Sequence, residues 1–323
     1  MFALALLQWT GRGQTQSVTD RKVRIGFLNP GFPSAPGSDN AFVRGMGELG
    51  YAIGRNLVVE YRFAEGRLDR LAGLAAELVR LPVDVLVVAG PSPLQAARAA
   101  TKTIPIVMLG GSSDPVGEGV ALSLARPSGN ITGLTFAVSP ERFGKQLELL
   151  KEAAPRVSRV AVWWDQPMAL FHQSWAAPLR TAGQRLGLEV LDPIQVLDAA
   201  SVDGAFVTMR RQRADALLVA IAGPTNRYRK RVAEAAVENR LPTIAAMKEF
   251  AGDGGLLSYG PDFPEMYRRG ATFVDKILRG VKPGDLPIEL PSKYELAVNL
   301  KTAAALGLSI PQSLLLRADQ VIQ

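Results

Sequence analysis

The sequence has no cysteine and a single histidine, His172, among its 323 residues. The absence of cysteine excludes disulfide bonds, thiol catalysis and cysteine-ligated metals. A zinc site usually needs several histidines or cysteines, and a Ser-His-Asp triad needs a histidine. Because the chain offers a single imidazole, we expect no metal site and find little basis for a triad. No run reaches the ~18 consecutive apolar residues that a transmembrane helix needs.

Charge of one sign is not concentrated anywhere, although the net charge is +7. The densest basic run, residues 227–231, continues into Glu234 and Glu238 at helical spacings. Such a mixed face is typical of a solvated helix surface. We therefore expect no nucleic acid among the partners. Hydrophobic residues make up 47% and charged residues 21%, which is a globular composition long enough for two domains.

The chain begins with a short apolar segment, residues 1–9, followed by a polar stretch that ends at Asp20. This pattern resembles the apolar region of a secretory signal peptide, although no basic residues precede it. We interpret residues 1–20 as a leader or signal remnant and expect the protein to be exported to the periplasm.

The most informative stretch is the largely apolar strand Val83–Ala89, which stops at Gly90 and is followed by a helical segment. Strands that are apolar on both faces belong to parallel sheets covered by helices. Ser92 suits the N-cap of this helix and Pro93 its first position. The amide groups and dipole at such a helix start favour a carboxylate, whereas the alternative is a helix cap without a ligand.

Strands and helices alternate in two similar series, which predicts an α/β fold with parallel, doubly wound sheets. Both series contain Ala-Gly-Pro directly after an apolar strand, at residues 89–91 and 222–224. Two such lobes create a cleft in which a ligand binds. We assign residues 23–132 plus 258–282 to lobe 1, and residues 133–257 plus 283–323 to lobe 2, with Gly254–Gly260 as a crossover between the lobes.

Two patterns could indicate an enzyme, and context argues against both. Residues 45–50 match G-x-G-x-x-G, but the glycines fall inside and at the end of a predicted helix, where packing and a C-cap explain them, so we expect no cofactor. Asp114 and Asp165 each follow a strand, but they lie in different lobes without a third catalytic group. We interpret Asp165 as a ligand contact, and Asp114 as either a ligand contact or the cap of a turn.

Aromatic residues occur at two candidate positions. Trp163 and Trp164 end a strand, and because alternate residues point to opposite faces, only one of them, Trp164, is a candidate for stacking on a flat ligand. The alternative is core packing. Tyr259 is either a cleft-facing hydroxyl or a ring that packs at the hinge.

Short segments spread over about 290 residues resemble those of the periplasmic substrate-binding proteins of ABC transporters, in the group with tryptophan- and tyrosine-binding members. Residues 254–260 match the family's GGLxSYG, and the tail Asn299-Leu300-Lys301-Thr302-Ala303 is the most family-specific stretch. The other matching segments are residues 25–28, 60–66, 69–71, 103–107, 114–116, 126–133, 305–308 and 317–319.

The resemblance implies a type I periplasmic binding protein, with two Rossmann-like lobes joined by a multi-strand hinge of three crossovers. It also implies an ABC permease and an ATPase as partners, with the membrane contacted only through the permease; we expect a monomer. Carried over by position, and with the two aromatic candidates added, the ligand site would comprise Asn29, Gly31, Gly90, Ser92, Gly111, Asp114, Trp164, Asp165, Gln166, Gly223, Thr225, Asn226, Lys248 and Tyr259.

One departure from the family pattern concerns the ligand's amino group. Members that hold an amino acid resemble Pro-Thr-Asp-Asn where this chain has Pro224-Thr225-Asn226-Arg227, without the aspartate. The ligand therefore either lacks an α-amino group, or has one whose charge is met by Asp165 instead. We predict a transport receptor for a small carboxylated molecule, aromatic or amino-acid-like, bound by hinge closure. The alternatives are the ligand-sensing domain of a regulatory protein and an α/β enzyme.

Overall fold

The computed structural model describes residues 21–33, 38–112, 114–135, 140–164, 175–196, 200–220 and 228–323. The strands are β1 Val23–Asn29, β2 Leu57–Phe63, β3 Val85–Ala89, β4 Ile106–Leu109, β5 Ile131–Leu134, β6 Arg159–Trp164, β7 Glu189–Val190, β8 Ile194–Gln195, β9 Ala216–Ala220, β10 Thr243–Ala245, β11 Leu257–Pro261, β12 Tyr294–Asn299 and β13 Gln320–Ile322. The helices are α1 Ser38–Glu48, α2 Leu71–Arg80, α3 Pro91–Ala100, α4 Pro140–Ala153, α5 Ala176–Arg185, α6 Ser201–Arg211, α7 Arg229–Glu238, α8 Lys248–Gly252, α9 Phe263–Leu278, α10 Leu300–Ala305 and α11 Gln312–Leu315.

The first sheet contains five parallel strands in the order β2-β1-β3-β4-β5. Every residue of β3, β4 and β5 is buried, because helices cover both faces of the sheet. One face packs against α1 and α9, and the other against α2 and α3. The continuous apolar runs that predicted a parallel sheet are explained by this burial.

The second sheet repeats the same arrangement and extends it at one edge. Its strands lie in the order β13-β12-β11-β10-β9-β6-β7, and β8 also pairs with β6. The segment β7-β6-β9-β10-β11 has the order of the first sheet and is parallel throughout, whereas β12 runs antiparallel to β11. The prediction of two doubly wound α/β lobes is confirmed, with one antiparallel pairing that the sequence pattern did not predict.

The chain crosses between the two sheets three times, as expected. It leaves the first lobe after β5, returns to it after β11 to form α9, and leaves it again before β12. The first and third crossings lie side by side, because the amide of Glu289 donates to the Gly133 carbonyl at 2.9 Å and its carbonyl accepts from the Thr135 amide at 3.0 Å. Arg269 of α9 donates to both carboxylate oxygens of Glu289 at 2.9 and 2.7 Å, which anchors the paired crossings to the first lobe.

Two predicted lobe boundaries differ from the structure. Residues 258–261 belong to β11, whose hydrogen bonds to β10 and β12 place it in the second sheet rather than in lobe 1. In the opposite sense, Leu286 and Ile288 are buried in the two cores of the first sheet, although both were assigned to lobe 2. The glycine-flanked stretch 254–260 therefore leads into a strand, and the crossover lies after it, between Pro261 and Phe263.

Two of the three glycines of the G-x-G-x-x-G pattern, Gly45 and Gly50, have the packing and C-cap roles that the sequence context predicted. A Cβ at Gly45 would lie 2.7 Å from the carbonyl oxygen of Arg268, so this glycine allows α1 to approach α9 closely. Gly47 is exposed with nothing within 4 Å of such a Cβ. Gly50 has a φ of 92° just beyond the end of α1, where only glycine is unstrained.

A buried polar network joins the end of α1 to α9. The hydroxyl of Tyr51, a fully buried residue, donates to Asp275 Oδ1 at 2.9 Å. Arg279 donates to both oxygens of the same carboxylate at 2.9 Å. Burial, and then the hydrogen bond to Asp275, raise the pKa of Tyr51 from 10.0 to about 12.

We predict that Tyr51→Phe lowers the free energy of unfolding by about 1–2 kcal/mol, because the buried Asp275 carboxylate loses one of its hydrogen-bond donors. Urea unfolding of the full chain measures the change. A double variant with Asp275→Asn isolates the pairwise contribution, and additive effects of the two substitutions would contradict a direct interaction.

The pH dependence provides a second check on this network. The phenol keeps its proton to a higher pH in the folded chain than in the unfolded chain, so its contribution is full below pH 10 and is lost as the pH rises towards about 12. The stability difference between wild type and Tyr51→Phe should therefore shrink over this window. A constant difference would show that the phenol's titration is not coupled to folding.

Candidate functional site

The strand order places two pairs of loops where ligands bind in open α/β sheets. In the order 2-1-3-4-5, the ligand crevice lies at the carboxyl ends of the first and third strands. In the first sheet these are the loops that contain Asn29, Gly31, Gly90 and Ser92. The structure therefore brings these four predicted residues to one edge of the sheet.

The loop after β1 is held by its own hydrogen bonds. Asn29 Oδ1 accepts the amide of Gly31 at 2.8 Å, and the carbonyl of Gly31 accepts the amide of Glu65 at 2.8 Å. Pro30 likewise accepts the amide of Gly66 at 2.9 Å. Asn29 and Gly31 thus shape a rigid rim, in which both backbone groups of Gly31 already have partners.

Helix α3 begins two residues earlier than the sequence predicted, which corrects the assignment of Ser92 as its N-cap. Gly90 occupies the N-cap with a φ of 95° and a ψ of 172°, a conformation open essentially to glycine alone, and Pro91 takes the first helical position. Because Pro93 is also in the first turn, Ser92 is the only one of the first three helical residues with an amide N–H. An anion at this helix start would therefore meet the Ser92 amide and hydroxyl.

The loop after β4 is organised by Glu118, a residue that no sequence pattern pointed to. Its carboxylate accepts the hydroxyl of the fully buried Ser112 at 2.9 Å and the amide of Asp114 at 3.1 Å. Asp114 is exposed and accepts the amide of Gly117 at 2.9 Å, so the structure supports the turn-cap alternative. Gly111 is buried, and a Cβ there would lie 2.7 Å from Met108 Cβ, so Gly111 permits close packing of this loop.

The two tryptophans at the end of β6 are both in the core. Trp164 is 2% exposed, and its ring meets Trp175 edge-on at 4.9 Å. Trp163 faces the opposite side of the sheet, fully buried with its ring 6.1 Å from Phe206. The hypothesis of an open stacking surface at Trp164 is therefore replaced by core packing, because helices cover both faces of this sheet.

Lys248 and Tyr259 each have structural partners. Lys248 Nζ lies 3.1 Å from Glu295 Oε2, and this hydrogen-bonded pair raises the pKa of Lys248. Tyr259 stacks on Tyr294 at 5.6 Å, and burial raises the pKa of its hydroxyl. Its carbonyl accepts Gln146 Nε2 at 2.8 Å, so the geometry favours a packing ring beside the second crossover.

Lys248 also lines a small pocket at the β12–β13 edge of the second sheet. The pocket has a volume of about 240 Å³, and its other lining residues are Glu295, Leu296, Ala297, Asp319 and Gln320. Within the described ranges, no group of three or more His, Asp or Glu side chains could hold a metal ion. None of the helices in those ranges is long and apolar enough to span a bilayer.

Five predicted residues follow the strands β6 and β9 of the second sheet. Their positions lie outside the described residues, and their ligand contacts remain predictions. They are Asp165, Gln166, Gly223, Thr225 and Asn226.

Two α/β lobes of one topology, joined by three crossovers, have the fold of type I periplasmic binding proteins. The family model for ABC transporter substrate-binding proteins matches residues 33–322 of this chain. The chain belongs to that family and is a solute-binding receptor of an ABC transporter for a small ligand. The family is one of binding proteins rather than of enzymes, and it works with transporter permease components.

Several known proteins are similar over nearly the whole chain. A conserved domain protein from Vibrio cholerae has a TM-score of 0.82 at 27% identity and covers 94% of this chain and 99% of its own. A complex of an ABC domain with L-Trp from Streptococcus pneumoniae has a TM-score of 0.82 at 25% identity, covering 93% and 100%. A tyrosine-binding protein of Clostridioides difficile is 24% identical over 276 residues, which are 85% of this chain and 78% of that protein.

We predict that Gly90→Ala lowers the free energy of unfolding by about 1–3 kcal/mol, because the φ of 95° at the start of α3 strains any residue with a Cβ. A Cβ at this position would have nothing within 4 Å, so backbone strain is the only expected cost. Chemical denaturation measures the loss.

Gly47→Ala is the matched control, because a Cβ at Gly47 would likewise have nothing within 4 Å, but this glycine is helical. Alanine favours a helix, so the control should keep or gain stability. Equal losses in both variants would contradict strain at Gly90 as the cause.

Proposed function

We propose that the transported solute is a small carboxylated molecule with an aromatic side chain, of the amino-acid class, held between the lobes as they close. The observation that carries this proposal is the start of α3, where Ser92 lies at the switch point of the first sheet. A ligand that contacts both lobes stabilises the closed state by its higher affinity for that state.

The carboxylate is proposed because of the charge at this helix start. The dipole of a ten-residue helix places partial positive charge at its first turn, which favours an anion. Pro91 and Pro93 carry no N–H, so the contact would consist of the Ser92 amide and hydroxyl. No acidic residue occupies the first turn of α3 to compete for that position.

The aromatic class is supported by the similar proteins. The structure from Streptococcus pneumoniae contains L-Trp, and the relative from Clostridioides difficile is a tyrosine-binding protein. Both similarities cover at least 85% of this chain. Recognition of the amino group is assigned to Asp165, because Asn226 stands where the family pattern has an aspartate.

Family membership supports the remaining parts of the proposal. We infer a permease and an ATPase as transporter partners, and a monomeric receptor that meets the membrane only through the permease. Export to the periplasm agrees with the apolar segment 1–9. The receptor would bind and release its solute without chemical change.

Ser92→Ala should weaken L-tyrosine binding by about 1–2 kcal/mol, or about 5- to 30-fold, through the loss of a hydroxyl that donates to the carboxylate. Calorimetry with L-tyrosine and with its carboxamide separates this effect from general damage. The preference for the acid over the amide should fall in the variant.

Ser123→Ala is the control for this substitution. Ser123 accepts the amide of Arg126 at 3.1 Å in an exposed turn of the segment between β4 and β5, so its loss should leave affinity unchanged. If Ser92→Ala reduces stability but keeps the preference for the acid, then Ser92 only supports the helix. If the wild type binds neither L-tyrosine nor L-tryptophan, the proposed ligand class is wrong.

Asp165→Asn should weaken L-tyrosine about ten-fold or more, because a charged partner of the ammonium group is lost. The des-amino analogue 3-(4-hydroxyphenyl)propanoate should bind both forms equally. Asp114→Asn provides the same chemical change at an exposed turn cap and should not alter affinity. If only Asp114→Asn weakens L-tyrosine binding, then Asp114 rather than Asp165 recognises the amino group.

A further inference from the structure

We propose that the indole of Trp175 forms the wall against which the aromatic ring of the solute packs. This role rests on the proposed function, since it requires an aromatic ligand. It assigns to Trp175 the stacking surface that the sequence analysis placed at Trp164.

The position of Trp175 follows from the topology of the second sheet. Strand β6 ends at Trp164 next to β9, which is the switch point of the β7-β6-β9-β10-β11 order. The connection from β6 to α5 therefore starts at the carboxyl edge of the sheet, and Trp175 is its last residue before α5. Because α5 runs back towards the other edge to reach β7, Trp175 lies at the edge where a ligand binds.

Two buried rings hold the indole in place. Trp175 lies 4.9 Å from Phe143, with an interplanar angle of 57°, and 4.9 Å from Trp164, with an angle of 65°. Phe143 is in the first turns of α4, directly after the first crossing between the lobes, and is fully buried. Trp164 is also buried, whereas Trp175 is only partly buried.

This combination distinguishes Trp175 from the other tryptophans of the described chain. A ring that is already fixed by tilted and edge-on aromatic contacts loses little conformational freedom when a ligand packs on it. The entropic cost of ligand binding is therefore low, and the contact with the ring can increase the affinity. Trp163 and Trp164 have almost no accessible surface left for such a contact. Trp175 combines the fixed geometry with remaining exposed surface at the ligand edge.

The test uses the full chain with L-tryptophan and L-tyrosine as probes in calorimetry. Trp175→Leu should weaken both by about ten-fold, whereas Trp175→Phe, which keeps a ring, should weaken them by only about two- to three-fold. Trp163→Phe is the matched control, because it alters a buried ring on the opposite face and should leave both affinities unchanged.

Tryptophan fluorescence distinguishes contact between Trp175 and the ligand from a purely structural role of Trp175. Binding of L-tyrosine should change the indole emission of the wild type and of Trp163→Phe, and this change should be absent from Trp175→Phe. The melting temperatures of all variants show whether a loss of affinity is caused by a loss of stability.

Each outcome decides the proposal. If Trp175→Leu binds both amino acids as the wild type does, the role of Trp175 is overturned while the proposed function stands. If Trp175 and Trp163 variants lose affinity in proportion to their melting temperatures, Trp175 is a core residue and the proposal is also overturned. If the wild type binds neither probe, the proposed ligand class fails and this role fails with it.

Discussion

The parallel pairing of β1 with both β2 and β3 is the constraint on which the ligand site depends. Because β2 and β3 lie on opposite sides of β1, the order in which strands are added to the sheet reverses at β1. The connections after β1 and after β3 therefore lie on opposite faces of the sheet and leave a crevice between them. The loop at Asn29 and the start of α3 therefore lie at the same edge of the sheet. The second sheet repeats the arrangement at β6 and β9, so one topological rule builds both halves of the receptor.

Specific contacts in the described part of the chain hold the connections between the two halves. The first and third crossings pair through the backbone of Glu289. Arg269 forms a bidentate ion pair with the Glu289 side chain and so fixes both crossings to the first lobe. The second crossing adjoins Tyr259, whose carbonyl accepts a hydrogen bond from the buried Gln146. A receptor that closes on its ligand needs crossings between the lobes that can bend while their hydrogen-bonded pairing is kept. The contacts described here hold these crossings at their ends.

Departures from the sequence-based expectations have identifiable causes. Ser92 looked like the N-cap because serine is a good capping residue, but Gly90 takes that place because its amide bonds to Leu109 on the neighbouring strand, at 3.1 Å. Residues 258–261 looked like a crossover because glycines flank them, yet ladder bonds to two strands make them part of a sheet. Glu118 gave no signal in sequence, since its partners belong to a loop whose shape exists only in the fold.

The sequence by itself determined the alternation of strands and helices, the glycine at the C-terminal end of α1, the absence of thiol chemistry and the family. These properties depend on periodicity and on residues close together in the chain. Only the tertiary structure decided which ring beside β6 retains exposed surface, because Phe143, Trp164 and Trp175 come from separate elements. The same holds for the Tyr51–Asp275 bond, which joins residues far apart in sequence. Burial and partner choice are set by contacts across the fold, and no local pattern encodes them.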